Sequence, residues 1–242
     1  GGGAAFRFDV KTLAIIPARG GSKGVPGKNV RPFLGRPLLH WSVDFARGLG
    51  LFDELQVSTD DAVVAQCARD GGLAVPALRP PELATDTAGS ADVAIDLLRK
   101  AKAQGRDFDW VALLQPTSPL REPARWHRAF ELARAGGCDA VVGVSPVRDH
   151  PAHVLRMEAD SALTPWAGAE GLRQRTQDLP PAVRVNGSLY LVRSAVLIAQ
   201  GTFFPPATRG VLCEQPWEDV DIDTEADWVV AEALARHYGR TA

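Results

Sequence analysis

The chain has 242 residues, about 1.6 domains at roughly 150 residues each, with 45% hydrophobic and 23% charged residues. That composition supplies one sizeable core without help from disulfides or metals, and it excludes wholesale disorder. Lys plus Arg is 27 against 29 for Asp plus Glu, a formal net charge of -2, so a chain built to coat nucleic acid is excluded while a local basic pocket is not. Cys67, Cys138 and Cys213 are odd in number and lack metal-ligand spacing, and are expected to be reduced and partly buried. No run approaches the roughly 20 apolar residues that span a bilayer, and the N-terminus lacks a basic-then-apolar signal pattern. The expectation is a cytoplasmic protein with no membrane partner and one domain over residues 9–242.

Short apolar segments alternate with helix-like stretches, the order of a doubly wound α/β fold with a mainly parallel sheet. Residues 12–16 read as the first strand and end at Pro17, where a glycine-rich loop begins at Gly20. After Pro37, the spacing of Leu38, Leu39, Trp41, Val43 and Phe45 predicts a helix. Leu55, Val57 and Thr59 form a second strand, and Asp60-Asp61 open a helix through Ala68. A weaker strand is expected at 73–75, then the loop 77–88 and a helix over 90–103 with Val93, Leu97 and Leu98 inward.

Residues 110–115 give a strong strand, stopped by the turn 116–119. A helix carrying Trp126, Phe130 and Leu132 follows, and residues 140–144 form a strand suited to the buried middle of a parallel sheet. From 145 to 181 the rhythm fails, and this long excursion is expected to be a subdomain or an oligomer contact. Strand character resumes over 183–192, and residues 220–222 read as a short strand before a helix from Glu225 to about Tyr238. Thr224 and Asp227 have the spacing of a capping box for that helix.

The loop 19–29 leaves the first strand where α/β sheets bind ligands, and its glycines let backbone N–H groups approach an anion. Arg19, Lys23 and Lys28 would repel one another unless an anion sat among them. The pattern is neither a Walker A loop nor a dinucleotide fingerprint. At the other end of the chain, Asp221 and Asp223 share one face of an extended segment, and Mg²⁺ held by both would relieve their repulsion. Equally, Asp221 can face solvent while Asp223 supports the turn.

Other candidates are Gln115 at a strand end, as a ligand contact or a cap, and Arg79 and Asp86 in a loop able to fold over a ligand. Asn186 is either a bulge marker or a ligand contact. Tyr190 reads as core filling, and Phe203 and Phe204 as pocket walls or, more simply, satellite packing residues. The five histidines show no ligand spacing, and no Ser lies in a nucleophile-elbow context.

Residues 15–29, Ser58-Thr59-Asp60, residues 79–84, residues 113–121, Asn186-Gly187-Ser188-Leu189-Tyr190 and Asp221-Ile222-Asp223-Thr224 together resemble the acylneuraminate cytidylyltransferase (CMP-sialic acid synthetase) family. The resemblance runs from about Leu13 to Leu234. It implies a Rossmann-like nucleotidyltransferase fold, CTP and a nonulosonic (sialic-type) acid as substrates, and a homodimer formed through 145–181. Arg19, Ser22, Lys23, Lys28, Asn29 and Arg79 are implied as nucleotide contacts. Gln115, Arg175, Asn186, Tyr190, Phe203 and Phe204 are implied as sugar-acid contacts, and Asp221 and Asp223 as ligands of Mg²⁺. Arg19, Lys23, Asp221 and Asp223 would carry catalysis. Where the family often has Arg before the Gln of Gln-Asp-Leu-Pro, this chain has Thr176, with Arg175 one place earlier. The runner-up is a related nucleotidyltransferase for another keto sugar acid or nucleotide, and behind it a non-catalytic nucleotide-binding protein.

Overall fold

The structure is a computed structural model and describes residues 10–85 and 89–241. Asp86, named as a loop candidate above, lies outside the described residues. The chain begins with β1 (Thr12–Pro17), a small ribbon of β2 (Pro32–Phe33) and β3 (Arg36–Pro37), and α1 (Leu38–Leu49). Next come β4 (Glu54–Ser58), α2 (Ala62–Asp70), α3 (Ser90–Ala103), β5 (Trp110–Leu113), α4 (Pro123–Ala135) and β6 (Ala140–Pro146). A hairpin of β7 (Leu155–Met157) and β8 (Leu163–Pro165) precedes β9 (Val183–Arg193), α5 (Ser194–Gln200), β10 (Thr208–Leu212) and α6 (Glu225–His237).

The main sheet has the order β10-β6-β9-β5-β1-β4. β1 pairs in parallel with β4 and β5, and β10 in parallel with β6, whereas β9 runs antiparallel to both β5 and β6. Alternation along β1 sends Leu13 and Ile15 to one face and Ala14 and Ile16 to the other, all fully buried. One face is covered by α1, α2 and α4 through Val43, Val64, Trp126 and Phe130, and the other by α3 and α5 through Ala94, Leu98 and Leu197. This is the doubly wound arrangement expected, with β9 the reversed strand.

Two local expectations fail. Residues 73–75 form no strand: β4 is the sheet edge, and the segment only tucks Val75 under the helices of that face. Residues 220–222 form none either. Among the described residues their backbone makes no ladder, only a bond from Ile222 N to Thr117 O (2.8 Å), one from Val220 N to Trp217 O (3.4 Å) and one accepted by Ile222 O from Lys28, while Val220 and Ile222 are buried beside the exposed Asp221 and Asp223. The alternation survives because burial of every second residue imposes it without a ladder.

A third apolar cluster positions the site. Val25 from the glycine-rich loop, Phe33, Leu38, Leu120, Ile222 and Trp228 pack together, joining the early loop to the late acidic segment. Trp228 stands edge-on to Phe33, and the Arg31 guanidinium lies over Trp228 while pairing with Glu225. α6 starts as expected, with Thr224 Oγ1 accepting from Asp227 N at 3.2 Å. Such a cap stabilises by about 1 kcal/mol.

Candidate active site

The carboxyl ends of β1, β4 and β5 open on a cleft of about 500 Å³ lined by Arg19, Ser22, Lys23, Gly24, Lys28, Asn29, Arg79, Gln115 and Asp223, among others. The early loop and Asp223 of the late acidic segment therefore meet at the sheet edge where α/β folds bind ligands.

Their approach is close. A side chain at Gly24 would collide with the carbonyl oxygen of Asp223, so only glycine allows this contact. Lys28 Nζ donates to Ile222 O at 2.7 Å and lies 3.4 Å from Asp223 Oδ1. The Lys28 side chain is only 11% exposed and the Asp223 side chain 69%, so the lysine braces the wall while the acid stays open to the cleft. Asn29 is buried, and its Nδ2 donates to Arg19 O at 2.9 Å, fixing the start of the loop. Gly20 N donates to Asp60 Oδ1 at 3.0 Å, tying the loop to the end of β4.

Arg79 crosses from its own loop to β4, donating from Nε to Ser58 Oγ at 3.0 Å and from Nη2 to Ser58 O at 2.7 Å. Burial lowers its pKa; Asp60 opposes that shift and Arg19 adds to it. Mutual repulsion of Arg19 and Arg79 marks a cationic end of the cleft. At the acidic end, partial desolvation raises the pKa of the Asp221 carboxyl; the Thr117 hydroxyl and Lys28 counteract this, and the charges of Asp223 and Asp227 reinforce it. Asp227 itself is held ionised by Thr224, to which it is bonded in the capping box.

Tyr190 stands beside this acidic end, its pKa raised by desolvation and by the charge of Asp221. It meets Phe203 and Phe204 edge-on at 5.8 and 5.9 Å. Phe203 belongs to the core and Phe204 is exposed, so the aromatic trio forms a graded wall.

Six of the site candidates lie outside the cleft lining: Asp221, Tyr190, Phe203 and Phe204, which stand beside one another past Asp223, and Asn186 and Arg175. Asn186 is 2% exposed and does not line the cleft. Its Nδ2 donates to Ser145 Oγ, and its Oδ1 accepts from Ser188 N and Oγ, where the β6–β9 register is irregular. It thus marks a bulge. Arg175 is exposed in the excursion, at the start of a short 3₁₀ turn over Thr176–Asp178, away from the cleft lining.

The cleft also includes Thr117 and the start of α3 at Gly89 and Ser90, which sequence reasoning did not single out. The signal for α3 was present, since a helix predicted to begin at residue 90 aims its free N–H groups at the sheet edge. Thr117 gave none beyond its place in a proline-flanked turn.

A doubly wound sheet with a cationic glycine loop meeting Asp223 of the late acidic segment in one cleft fits a Rossmann-like nucleotidyltransferase. Residues 13–203 match the family described as Cytidylyltransferase. The CMP-N,N'-diacetyllegionaminic acid synthase of Legionella pneumophila is 36% identical over 225 residues, covering 93% of this chain and 96% of that protein. An N-acylneuraminate cytidylyltransferase of Streptococcus agalactiae is 33% identical over 91% of this chain, which spans 52% of that longer relative. Among solved structures, CMP:2-keto-3-deoxy-manno-octonic acid synthetase complexed with CTP has the same fold, with a TM-score of 0.70 at 18% identity, over 94% of this chain and 99% of that one. The chain belongs to the cytidylyltransferase family, within its acylneuraminate and nonulosonic-acid branch, and is an enzyme of nucleotidyl transfer.

Proposed function

We propose that the protein joins CTP to a nonulosonic acid, giving the CMP-sugar and pyrophosphate. The observation that carries this is the convergence of the cationic loop and the acidic segment on one cleft, with Lys28 bonded across to Ile222 O. The relatives supply the substrate class, since those named act on legionaminic acid and on N-acylneuraminate.

In this reading the triphosphate lies along the loop, contacted by Arg19, Ser22, Lys23 and backbone N–H groups, with the α3 N-terminus adding positive potential. Arg79 sits toward the cytosine and ribose. Lys28 and Asn29 serve the nucleotide by holding the loop and its opposite wall in place. The sugar acid occupies the end formed by Gln115, Tyr190, Phe203 and Phe204, with Asn186 acting through the backbone it holds and Arg175 drawn from the excursion. The C2 hydroxyl oxygen bonds to the α-phosphorus, the bond to the β-phosphate bridge breaks, and pyrophosphate leaves with the electron pair while the hydroxyl proton passes to solvent. Arg19 and Lys23 hold the departing charge.

Mg²⁺ suits the acid pair. Among the described residues no group of three or more His, Cys, Asp or Glu could hold a metal by itself. Two carboxylates with water and substrate phosphate are, however, the usual Mg²⁺ donors. Asp221 and Asp223 would hold the ion, which when bound offsets negative charge on the phosphates.

A cytoplasmic homodimer completes the proposal. No helix among the described residues is long and apolar enough to cross a membrane. In the excursion Met157, Leu163 and Trp166 are exposed, an apolar surface that a second copy would cover. A monomer by light scattering at micromolar concentration would remove the dimer.

The function is tested by pyrophosphate release across CTP, UTP, ATP and GTP, each with N-acylneuraminate, legionaminic, pseudaminic and eight-carbon keto acids. Turnover is expected with CTP and at least one nine-carbon acid. Turnover with only the eight-carbon acid or another nucleotide shifts the substrate, and CTP binding without product from any acid rejects the enzyme reading.

A further inference from the structure

Arg121 is 6% exposed, yet it is not a ligand-facing residue of the cleft. Its Nε donates to Ser188 O at 3.0 Å, Nη1 to Ser42 Oγ at 3.0 Å, and Nη2 to Gln115 O at 2.5 Å. No carboxylate pairs with it among the described residues, and desolvation alone pulls its guanidinium pKa down to about 9. The Phe45 ring lies 5.9 Å from its Cζ and offers only a weak cation–π contact. A buried cation without a counter-charge is costly, and an apolar side chain of similar volume would avoid the cost. What the planar fork adds is direction: three donors fixed in one plane reach acceptors on three separate elements.

Two of those acceptors matter for the site. Gln115 O lies just beyond β5, and Ser188 O lies in the β9 bulge two residues before Tyr190. Gly187, at φ +79°, brings these segments into contact, since a side chain there would stand 3.0 Å from Ser118 Oγ and 3.1 Å from Gln115 Oε1. Ser42 on α1 is the third, buried anchor.

We infer that Arg121 is a positioning residue that sets the spacing between Gln115 and the Gly187-to-Tyr190 segment, and so tunes the sugar-acid end of the cleft without touching substrate. The inference rests on the assignment of that end to the sugar acid. The nucleotide end is held by other bonds, those of Asn29, Lys28 and Arg79 described above, so the effect of losing Arg121 falls on one substrate.

The test is steady-state kinetics of the full chain for Arg121→Lys, Arg121→Met and Ser42→Ala, each beside a melting curve. Arg121→Lys is expected to raise the sugar-acid KM about 10-fold and to leave the CTP KM within about 2-fold. Arg121→Met raises the sugar KM further. Ser42→Ala keeps the arginine and removes one acceptor, raising the same KM about 2- to 3-fold while remaining folded. An unchanged sugar KM in folded variants, or a CTP KM rising in step, overturns the inference; if the arginine variants do not fold, Ser42→Ala decides it by the same split. If the wild type turns over no nonulosonic acid, the functional reading has failed and the clamp is judged by amide hydrogen exchange. Arg121→Lys must then deprotect residues 115–121 and 186–190 above the rest of the chain, and an unchanged or uniform pattern overturns it.

Discussion

The two ends of the cleft are built by opposite means. At the cationic end, a glycine-rich loop carrying charged side chains is tied to distant segments at single points, Lys28 to Ile222 O and Gly20 N to Asp60. At the Gln115 end, buried groups without a carboxylate partner among the described residues hold the backbone: Asn186 with Ser145 and Ser188, and Arg121 with two carbonyls. A triphosphate can be gripped by charge over several ångströms, so its site tolerates an open loop. A sugar acid is told from its relatives by a few directional contacts, so its site needs fixed spacing.

Substitutions that remove charge from the acidic segment, which meets the loop through Asp223, have the largest expected effect. Asp221→Asn and Asp223→Asn are each expected to lower kcat/KM by about 100-fold or more, with little change in melting temperature. Near-normal turnover in both would leave the acid pair without a metal role. A smaller effect is expected from Lys23→Ala, which on the proposed placement of the triphosphate deletes one charge-assisted contact and should raise the CTP KM about 10-fold while leaving the sugar KM nearly unchanged. That pattern is the mirror image of the Arg121 variants. If Lys23→Ala and Arg121→Lys shifted the same KM, the division of the cleft into two ends would break.

The smallest effect concerns stability. The folded-state pKa of Asp221 is raised, by desolvation first and by Asp223 and Asp227 after it, so its ionised form is disfavoured by folding. The stability linked to this group is full below its unfolded pKa of about 3.9 and is lost as pH rises through the folded value. Asp221→Asn should therefore melt slightly above the wild type at pH 7, and the difference should close as the pH approaches 4. A variant that melts lower at pH 7 would show that the carboxylate is stabilising, contrary to its surroundings.

The periodic parts of the chain were legible in advance. The helix over 90–103, the strand from residue 12 and the Thr224–Asp227 capping box all rest on local spacing, and each stands where its pattern puts it. Residues 73–75 and 220–222 have strand-like composition but no neighbouring strand, and a ladder requires a partner that no local window contains. Asn186 shows the same limit. Its place in an apolar run signalled a bulge or a contact with equal force, and only the nearness of Ser145, 41 residues away, turns it inward.

By itself the sequence determined the alternation of strands and helices, the concentration of positive charge at residues 19–28 and the acid pair at 221 and 223, because burial period and charge are properties of neighbouring residues. The tertiary structure alone decided that β9 runs antiparallel, that Lys28 braces a wall, and that Arg121 joins Ser42, Gln115 and Ser188. Apart from the Arg121–Gln115 bond, those contacts join residues tens to nearly two hundred positions apart, and their geometry is set by how the layers pack.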